Sequence, residues 1–531
     1  MRRWNGWGDD TITYPVPSSA AEFLASVLGP GTPPADASLE EILNRVAPGR
    51  LPDHPLIDRN PEPRVRHARG QSLPDWVAMR SGRIPTLPDG VAFPSTQAEV
   101  RDLIRYAQGV GAQLIPYGGG TSVVGHINPL PGDSPVLTVD LSRLNQLFSF
   151  DEKSQLATFG AGVRGPDLEA QLRARDVTLG HFPQSFELST LGGWIVTRSS
   201  GQQSYYYGRI EDLFAGGHVE TPAGPLDLPP HPASAAGPDI RQLFLGSEGR
   251  FGILTNAIVR VSPLPEQEAF HAIFFPDWEN GMTAVRTIAQ ARITASMLRL
   301  SDAVETETTL ILSGHERLVG LAERALGALG LGDDKCLFLF GVTGSKRSVK
   351  RSRKDVVAIA KEFGGRHVGQ YMGGKWRESR FLTPYLRNTL WRLGYAVDTL
   401  ETALPWSAIP TTIEAIKDSL RTGLQDIGER THVFAHLSHI YSHGASFYVT
   451  YLFRVADDPE TTLQRWRALK DGASQVIVAA GGTISHQHGV GTDHLAYLPM
   501  EKGSLGMQSL GAVHHVLDPH SIMNPGKLFV G

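Results

Sequence analysis

The sequence predicts an α+β protein built from two main domains. Three observations carry that expectation. At 531 residues the chain is too long for one simple core. From about Thr86 to Leu264, strand-like apolar runs interleave with amphipathic helical patterns. A second alternation runs from about Pro265 to Ala480, and neither contains an internal repeat or a low-complexity tract.

Residues 1–85 are rich in Pro, Asp and Arg, with one helix-like run, "SLEEILNRVA", opened by Ser38 as N-cap. They read as an extension wrapped over the rest. In 86–264, "TQAEVRDLIRYAQGVGAQLIPYGGGTS" predicts a helix ended by glycine, a short strand and a loop. "SPVLTVDLSRL" and "QLATFGAGV" read as strands, and "RGPDLEAQLRARD" as a helix with an acid in its first turn. In 265–480, strands are expected at "AFHAIFFP", "KCLFLFGVTG" and "ASFYVTYLF", and helices at "GMTAVRTIAQAR" and "DVVAIAKEFGG". The Gly/His/Pro-rich segment 481–531 reads as a loop-dominated return.

Composition narrows the function classes. A net charge of -4 argues against wholesale nucleic-acid binding. The single cysteine, Cys336, excludes an intrachain disulfide framework and reads as a buried small hydrophobe. No window reaches the ~18 to 20 apolar residues of a spanning helix. Acids and glycines follow the N-terminal arginines where a signal peptide needs an apolar core. The expectation is a soluble, cytoplasmic protein.

Three stretches carry candidate chemistry. "IPYGGGTSVVGH" (Ile115 to His126) sets three glycines and two hydroxyls after an apolar stub. Such a loop lets backbone N–H groups approach a phosphate, and the same pattern also fits a tight turn. No Lys follows the last glycine, so it is not a Walker loop. "FPQSFELSTLGGWIVTRSSG" gathers Ser185, Ser189, Thr190, Thr197, Ser199 and Ser200 around glycines. So many hydroxyls make a poor core unless a polar ligand meets them. In "LGSEGRFGILTNAIVRV", glycines 246, 249 and 252 precede a β-branched strand.

Taken in order, "PYGGGTS", "STLGGWIVTRSSG…YGRIEDL" and "GPDIRQLFLGSEGRFGIL" resemble the FAD-binding domain of the vanillyl-alcohol-oxidase (PCMH) type. "LDPHSIMNPGKL" is similar to the end of FAD-linked oxidases. The resemblance implies an α+β fold: a two-subdomain FAD-binding domain, then an α+β cap domain with an antiparallel sheet. It implies FAD contacts from Pro116, Tyr117, Gly118, Gly119, Gly120, Thr121 and Ser122. It adds Gln184, Ser185, Ser189, Thr190, Gly193, Thr197, Arg198, Ser199 and Ser200, then Glu248, Gly249, Gly252, Ile253 and Leu254. Some relatives tether the flavin through His, or His with Cys. Cys336 lies far from every flavin motif and His126 reads as an ordinary loop histidine, so non-covalent FAD is expected.

Within that superfamily, "STLGGWIVTRSSG", "AGPDIRQLFLGSEG", "PYLRNTL…DTLETALPW", "GASFYVTYLF" and "GGTISHQHGVG" resemble the alkylglycerone-phosphate synthase (alkyl-dihydroxyacetonephosphate synthase) family. The resemblance implies exchange of the acyl group of acyl-dihydroxyacetone phosphate for a fatty alcohol, without net redox, through a flavin N5 adduct. It assigns Arg387 to substrate binding, Tyr448 to acid/base chemistry, and His486, Gln487 and His488 to a run that is three histidines in the synthases. Gln487 departs from that run, and an amide cannot take a proton. The C-terminal loop bearing these residues is expected to return over the isoalloxazine ring. The implied partners are a lipid-phosphate substrate and a fatty alcohol; a homodimer is compatible, with no residue of this chain marking its interface.

The alternative is an FAD-linked dehydrogenase or oxidase of a 2-hydroxy acid or alcohol. Those enzymes carry a Glu-His pair and a "GDGNxH" run that helps hold a metal; here the Glu position is Gln487 and "FAHLSHIYSHGASFY" lacks "GDGN". His436, His439 and His443 match no standard zinc spacing, so no metal is assigned and they read as loop histidines near an anionic substrate. The cations of "KRSVKRSRK" near a helix start call for a nearby anion, either a solvated surface partner or an acidic membrane contacted peripherally.

Overall fold

The computed structural model describes residues 1–312, 326–327 and 330–529. Three main sheets organise the chain. The first has four strands in the order Ile57–Asp58, Gly90–Ala92, Val136–Asp140, Gln113–Tyr117, the last three parallel. Helix Gln97–Val110 packs on it through Val100, Leu103, Ile104 and Ala107, the i, i+3, i+4, i+7 stripe of an amphipathic helix. Thr96 and Glu99 form its capping box, and Gly111 ends it in the left-handed region (φ 67°).

The second sheet is antiparallel, in the order Leu147–Asp151, Leu156–Gly160, Ile253–Arg260, Phe214–Thr221, Gly224–Leu228. Together these sheets give the two-subdomain arrangement expected from the sequence. The third sheet is the cap. Its seven strands run Arg366–Gly369, Gln267–Phe275, Cys336–Gly344, Met297–Ser301, His432–Ile440, Gly444–Arg454, Tyr395–Pro405, every pair antiparallel.

Alternation along Cys336–Gly344 divides the cap sheet into two faces. Cys336, Phe338, Phe340 and Val342 pack in the main core with helices Trp278–Gln290 and Lys346–Glu362. Leu337 and Leu339 face the other way, with Met297, Met372 and Trp376. Burial pushes the Cys336 thiol up to about 12, so it stays an inert thiol.

Two elements differ from expectation. The basic run is itself helical: Lys346–Glu362 starts at Ser345, which caps the Ser348 N–H, and Glu266 accepts the Lys346 N–H at 3.1 Å. That carboxylate is the anion the helix start calls for. Its six leading cations are exposed on the side of the sheet opposite Leu337 and Leu339. The C-terminal segment carries an unexpected helix, Leu498–Leu517, broken at Gly503 (φ 69°), within a return that is otherwise irregular. Glycines 503, 506 and 511 dilute the apolar stripe that would have announced it. No helix among the described residues is long and apolar enough to cross a membrane.

Candidate active site

One cavity of about 1120 Å³ runs from the glycine loop to the cap sheet. A pocket for a single ligand typically spans ~300 to 1,000 Å³, so this one has room for a cofactor and a second molecule. The glycine loop leaves strand Gln113–Tyr117 and lies directly against residues 188–190. A Cβ at Gly118 would run into the Thr190 hydroxyl, one at Gly119 into the Leu188 carbonyl, and one at Gly120 into the Tyr117 ring. Glycine is required there by contact, and at Gly120 also by φ 61°.

The wall continues through Gln184, Ser185, Ser189, Thr190, Gly193, Thr197, Ser199 and Ser200, and through Gly249, Gly252 and Leu254. Pro116, Tyr117, Thr121, Ser122 and Glu248 also line it. Ser200 Oγ and Gln202 Oε1 are buried there without a hydrogen-bond partner among the described residues. Orphaned polar atoms beside a glycine cradle fit a bound dinucleotide, which would satisfy them.

Three expected residues stand off the wall. Arg198 (φ 57°) turns outward, its Nε 3.0 Å from Glu211 and its Nη2 donating to Gln242 at 2.8 Å. Ile253 is fully buried in the core under helix Gln97–Val110, because the strand pleat points it away. His486 lies behind its neighbours, outside the lining that includes Gln487 and His488. The Tyr441 hydroxyl (2.6 Å) and Arg209 Nη1 (3.4 Å) both reach its Nε2, which puts the ring proton on Nδ1.

Glu248 braces the site from within. Its carboxylate accepts the N–H groups of Val490 (2.5 Å) and Gly491 (2.9 Å), tying the C-terminal loop to the flavin domain. His126 sits between, Nδ1 2.8 Å from Ser122 Oγ and Nε2 3.2 Å from Glu248. Asn524, in the C-terminal motif, donates to the carbonyls of His126 and Glu248.

On the cap side, Arg387 is stacked over Trp76 with its guanidinium carbon 4.4 Å from the ring, and Nη1 donates to the Gln71 carbonyl. Its Nε and Nη2 are buried and have no partner among the described residues, the edge of a guanidinium that takes an oxoanion in two parallel bonds. Burial lowers its pKa. Tyr448 sits in register between His436 and Glu401 on the neighbouring strands. It stacks on His436 (5.3 Å) and meets the His488 ring edge-on (5.6 Å). Burial raises its phenol well above 10 despite a Thr399 hydrogen bond and Arg387 pulling down, so it rests as a proton donor.

The turn at residues 485–491 is anchored by Glu401, whose Oε1 accepts the Gln487 N–H and the His488 N–H at 2.7 Å each. Ser485 Oγ, at the start of the turn, also donates to Glu401 at 3.1 Å. Desolvation lowers the His488 imidazole, with Glu401 opposing. Sequence reasoning missed Glu401, Arg209 and the partners that Arg299 and Glu305 supply to His436. Glu305 accepts from Arg299 at 2.7 Å and from His436 at 3.0 Å. Glu401 and Arg209 lie inside "DTLETALPW" and "YGRIEDL", but nothing local in those words reveals a long-range clamp. His443 is exposed at the hairpin turn, so the three histidines noted in the sequence do not converge.

An apolar arm of the cavity is lined by Phe23, Leu24, Leu390, Leu452, Val397 and Phe434. Phe23 and Leu24 come from helix Ser18–Leu28, in the N-terminal extension. That helix packs Leu24 and Leu28 against Leu390 and Leu452.

Residues 88–226 match the family described as "FAD binding domain", and residues 264–528 match "FAD linked oxidases, C-terminal domain". The alkyldihydroxyacetonephosphate synthase of Dictyostelium discoideum is 30% identical over 99% of this chain and 93% of its own. That of Trypanosoma brucei brucei is 28% identical over 99% and 92%. A solved alkyldihydroxyacetonephosphate synthase superposes with a TM-score of 0.85 at 27% identity, covering 99% of both chains. The cofactor is FAD, and the chain belongs to the alkyldihydroxyacetonephosphate synthase family.

Proposed function

We propose that this enzyme exchanges the acyl group of an acyl-dihydroxyacetone phosphate for a fatty alcohol, yielding an ether-linked lipid phosphate and a free fatty acid. The observation that carries the reading is the continuity of one cavity from the glycine cradle, past the unpartnered edge of Arg387, into the apolar arm. A nucleotide, an oxoanion and an alkyl chain each have a matching wall. Bound FAD supplies the electron-accepting ring against which the exchange proceeds, with no net redox change.

In this reading the buried Nε and Nη2 of Arg387 hold the phosphate or carboxylate of the substrate. Tyr448 rests protonated and donates a hydrogen bond to the oxygen that bears developing charge. His488 is held beside it by the Glu401 clamp, and His486 braces the turn from behind through Tyr441 and Arg209. The apolar arm excludes water and receives one chain at a time. The basic helix Lys346–Glu362 is a candidate for contact with an anionic membrane surface, at ~1 kcal/mol per cation, but on the far side of the cap sheet from the cavity. A homodimer is compatible with this arrangement.

Anaerobic flavin spectroscopy tests the reading. Palmitoyl-dihydroxyacetone phosphate should perturb the flavin spectrum, and hexadecanol should restore it while palmitate is released. Perturbation only by a 2-hydroxy acid, reversed only by an electron acceptor, would make the protein a dehydrogenase instead.

A further inference from the structure

Gln487 and His439 both line the cavity, brought there from distant segments of the chain. His439 lies on strand His432–Ile440, where the register against Gly444–Arg454 shifts between Leu437 and His439. In a regular strand, His436 and Ser438 would share one face and His439 the other. The extra residue breaks that alternation, and His436, Ser438 and His439 all line the cavity while Leu437 and Ile440 stay in the core.

The His439 ring stacks on His486 with centroids 5.0 Å apart, so it stands between His486 and the cavity. Gln487 lines the cavity as well, its side chain acts to raise the His439 pKa, and among the described residues its buried Oε1 has no hydrogen-bond partner. An imidazole N–H turned to that oxygen satisfies it, fixes the tautomer and leaves the other ring nitrogen with its lone pair. The charged and titratable groups facing His439 are Arg209 on the flavin-domain side, His436 on its own strand, and His488, His486 and His181 around it. Burial first, then Arg209, lower the ring to about 3, so it is neutral and able to accept.

We propose that His439 is the catalytic imidazole that accepts the hydroxyl proton of the incoming alcohol, and that Gln487 is its positioning residue. The cavity thus regains on the cap strand the imidazole that the C-terminal turn lacks. The inference rests on the exchange reaction proposed above. Its balance is simple: the bond from the substrate carbon to the carboxylate oxygen breaks, and a bond to the alcohol oxygen forms. The alcohol's proton passes to His439 and then to solvent, and the fatty acid leaves as its carboxylate. No electrons are gained or lost.

The test is a swap. His439→Gln should lower the exchange rate by roughly 10²- to 10⁴-fold, the usual worth of a general base, across the whole neutral pH range. Gln487→Leu should leave KM near wild type and lower kcat, a split that a merely structural role would not produce. The double variant H439Q/Q487H puts an imidazole back on the turn and should recover much of the loss. A His439→Gln enzyme that keeps its flavin and its rate overturns the proposal, as does a folded double variant no better than the single one.

A second readout does not depend on turnover. Carbethoxylation of the wild-type holoenzyme, mapped by mass spectrometry, should label His439, and palmitoyl-dihydroxyacetone phosphate should protect it. No label at His439 with the flavin in place overturns the assignment. If the wild type catalyses no exchange but His439 labels and is protected, the reaction proposed above falls and the reactive cavity imidazole stands.

Discussion

The carboxylate of Glu401 accepts the main-chain N–H of His488 at 2.7 Å, and the same oxygen takes that of Gln487. One side chain on the edge strand Tyr395–Pro405 therefore sets the path of the turn that carries the candidate chemistry. Removing it in Glu401→Ala leaves two buried N–H groups without their charged acceptor, a loss on the order of 3 kcal/mol. The expected outcome is faster hydrogen exchange across 485–491 and a sharply lower kcat, with flavin still bound. Unchanged exchange in that segment would mean that Glu248 alone holds the turn.

At the other end of the cavity, the glycine loop tolerates no side chain. A methyl group at Gly119 meets the Leu188 main chain, which cannot rotate aside as a side chain could. Gly119→Ala should push the loop off its partner segment and weaken FAD binding by at least ~1.4 kcal/mol, about tenfold in Kd. The flavin-to-protein absorbance ratio of the purified variant measures this directly. A ratio equal to wild type would show that the two loops separate without disturbing the cradle.

These two ends of the site were not equally legible. Gly118, Gly119, Gly120 and Thr190 could be read because glycine and hydroxyl content are local properties, and each matters at its own position. The amphipathic helix Gln97–Val110 was legible for the same reason: cap, stripe and terminal glycine all lie within the segment. His439 was not, since its direction depends on a register shift against a strand that follows a turn. Glu401 acts on a segment 86 residues away, and the wall formed by Phe23 and Leu24 comes from the other end of the chain. Arg198 shows the converse error: it sits among cavity-lining residues, but a left-handed backbone turns it to Glu211.

Arg387 offers a direct test of substrate binding. Its planar fork has two unpartnered donors, whereas a lysine at that position supplies a single point of charge. Arg387→Lys should raise KM for the acyl-phosphate substrate by roughly 10- to 100-fold, the worth of one charge-assisted hydrogen bond, and leave KM for hexadecanol unchanged. Equal effects on both substrates would indicate a disturbed helix Leu386–Arg392 rather than a lost contact.

The apolar arm predicts a chain-length effect. Leu452 is 5% exposed and faces Leu24 and Leu390 across the arm. Leu452→Trp fills that space without adding charge, so long-chain alcohols should lose kcat/KM steeply while short ones are spared. A uniform loss across chain lengths would place the alkyl chain elsewhere.

Lys527 supplies a stability prediction with a defined sign. Its ammonium is buried near the C-terminal motif, donating to the carbonyls of Asn128 (2.7 Å) and Pro525 (3.2 Å). Burial lowers its pKa to about 7, with Glu248 and Asp75 opposing and Arg250 and Arg69 adding to the shift. An unfolded lysine holds its proton to about 10.4, so between the two values the unfolded state binds the extra proton. Stability should therefore rise as pH rises from about 7 towards 10, by up to ~1.4 kcal/mol per unit from this group, and be lost again as pH falls through 7. Lys527→Met removes the titration. Urea denaturation of both proteins at about pH 7 and about pH 9 isolates the difference, because every other titrating group is shared. The variant should show the smaller gain. Parallel changes in the two proteins would mean that Glu248 keeps the ammonium charged inside the fold.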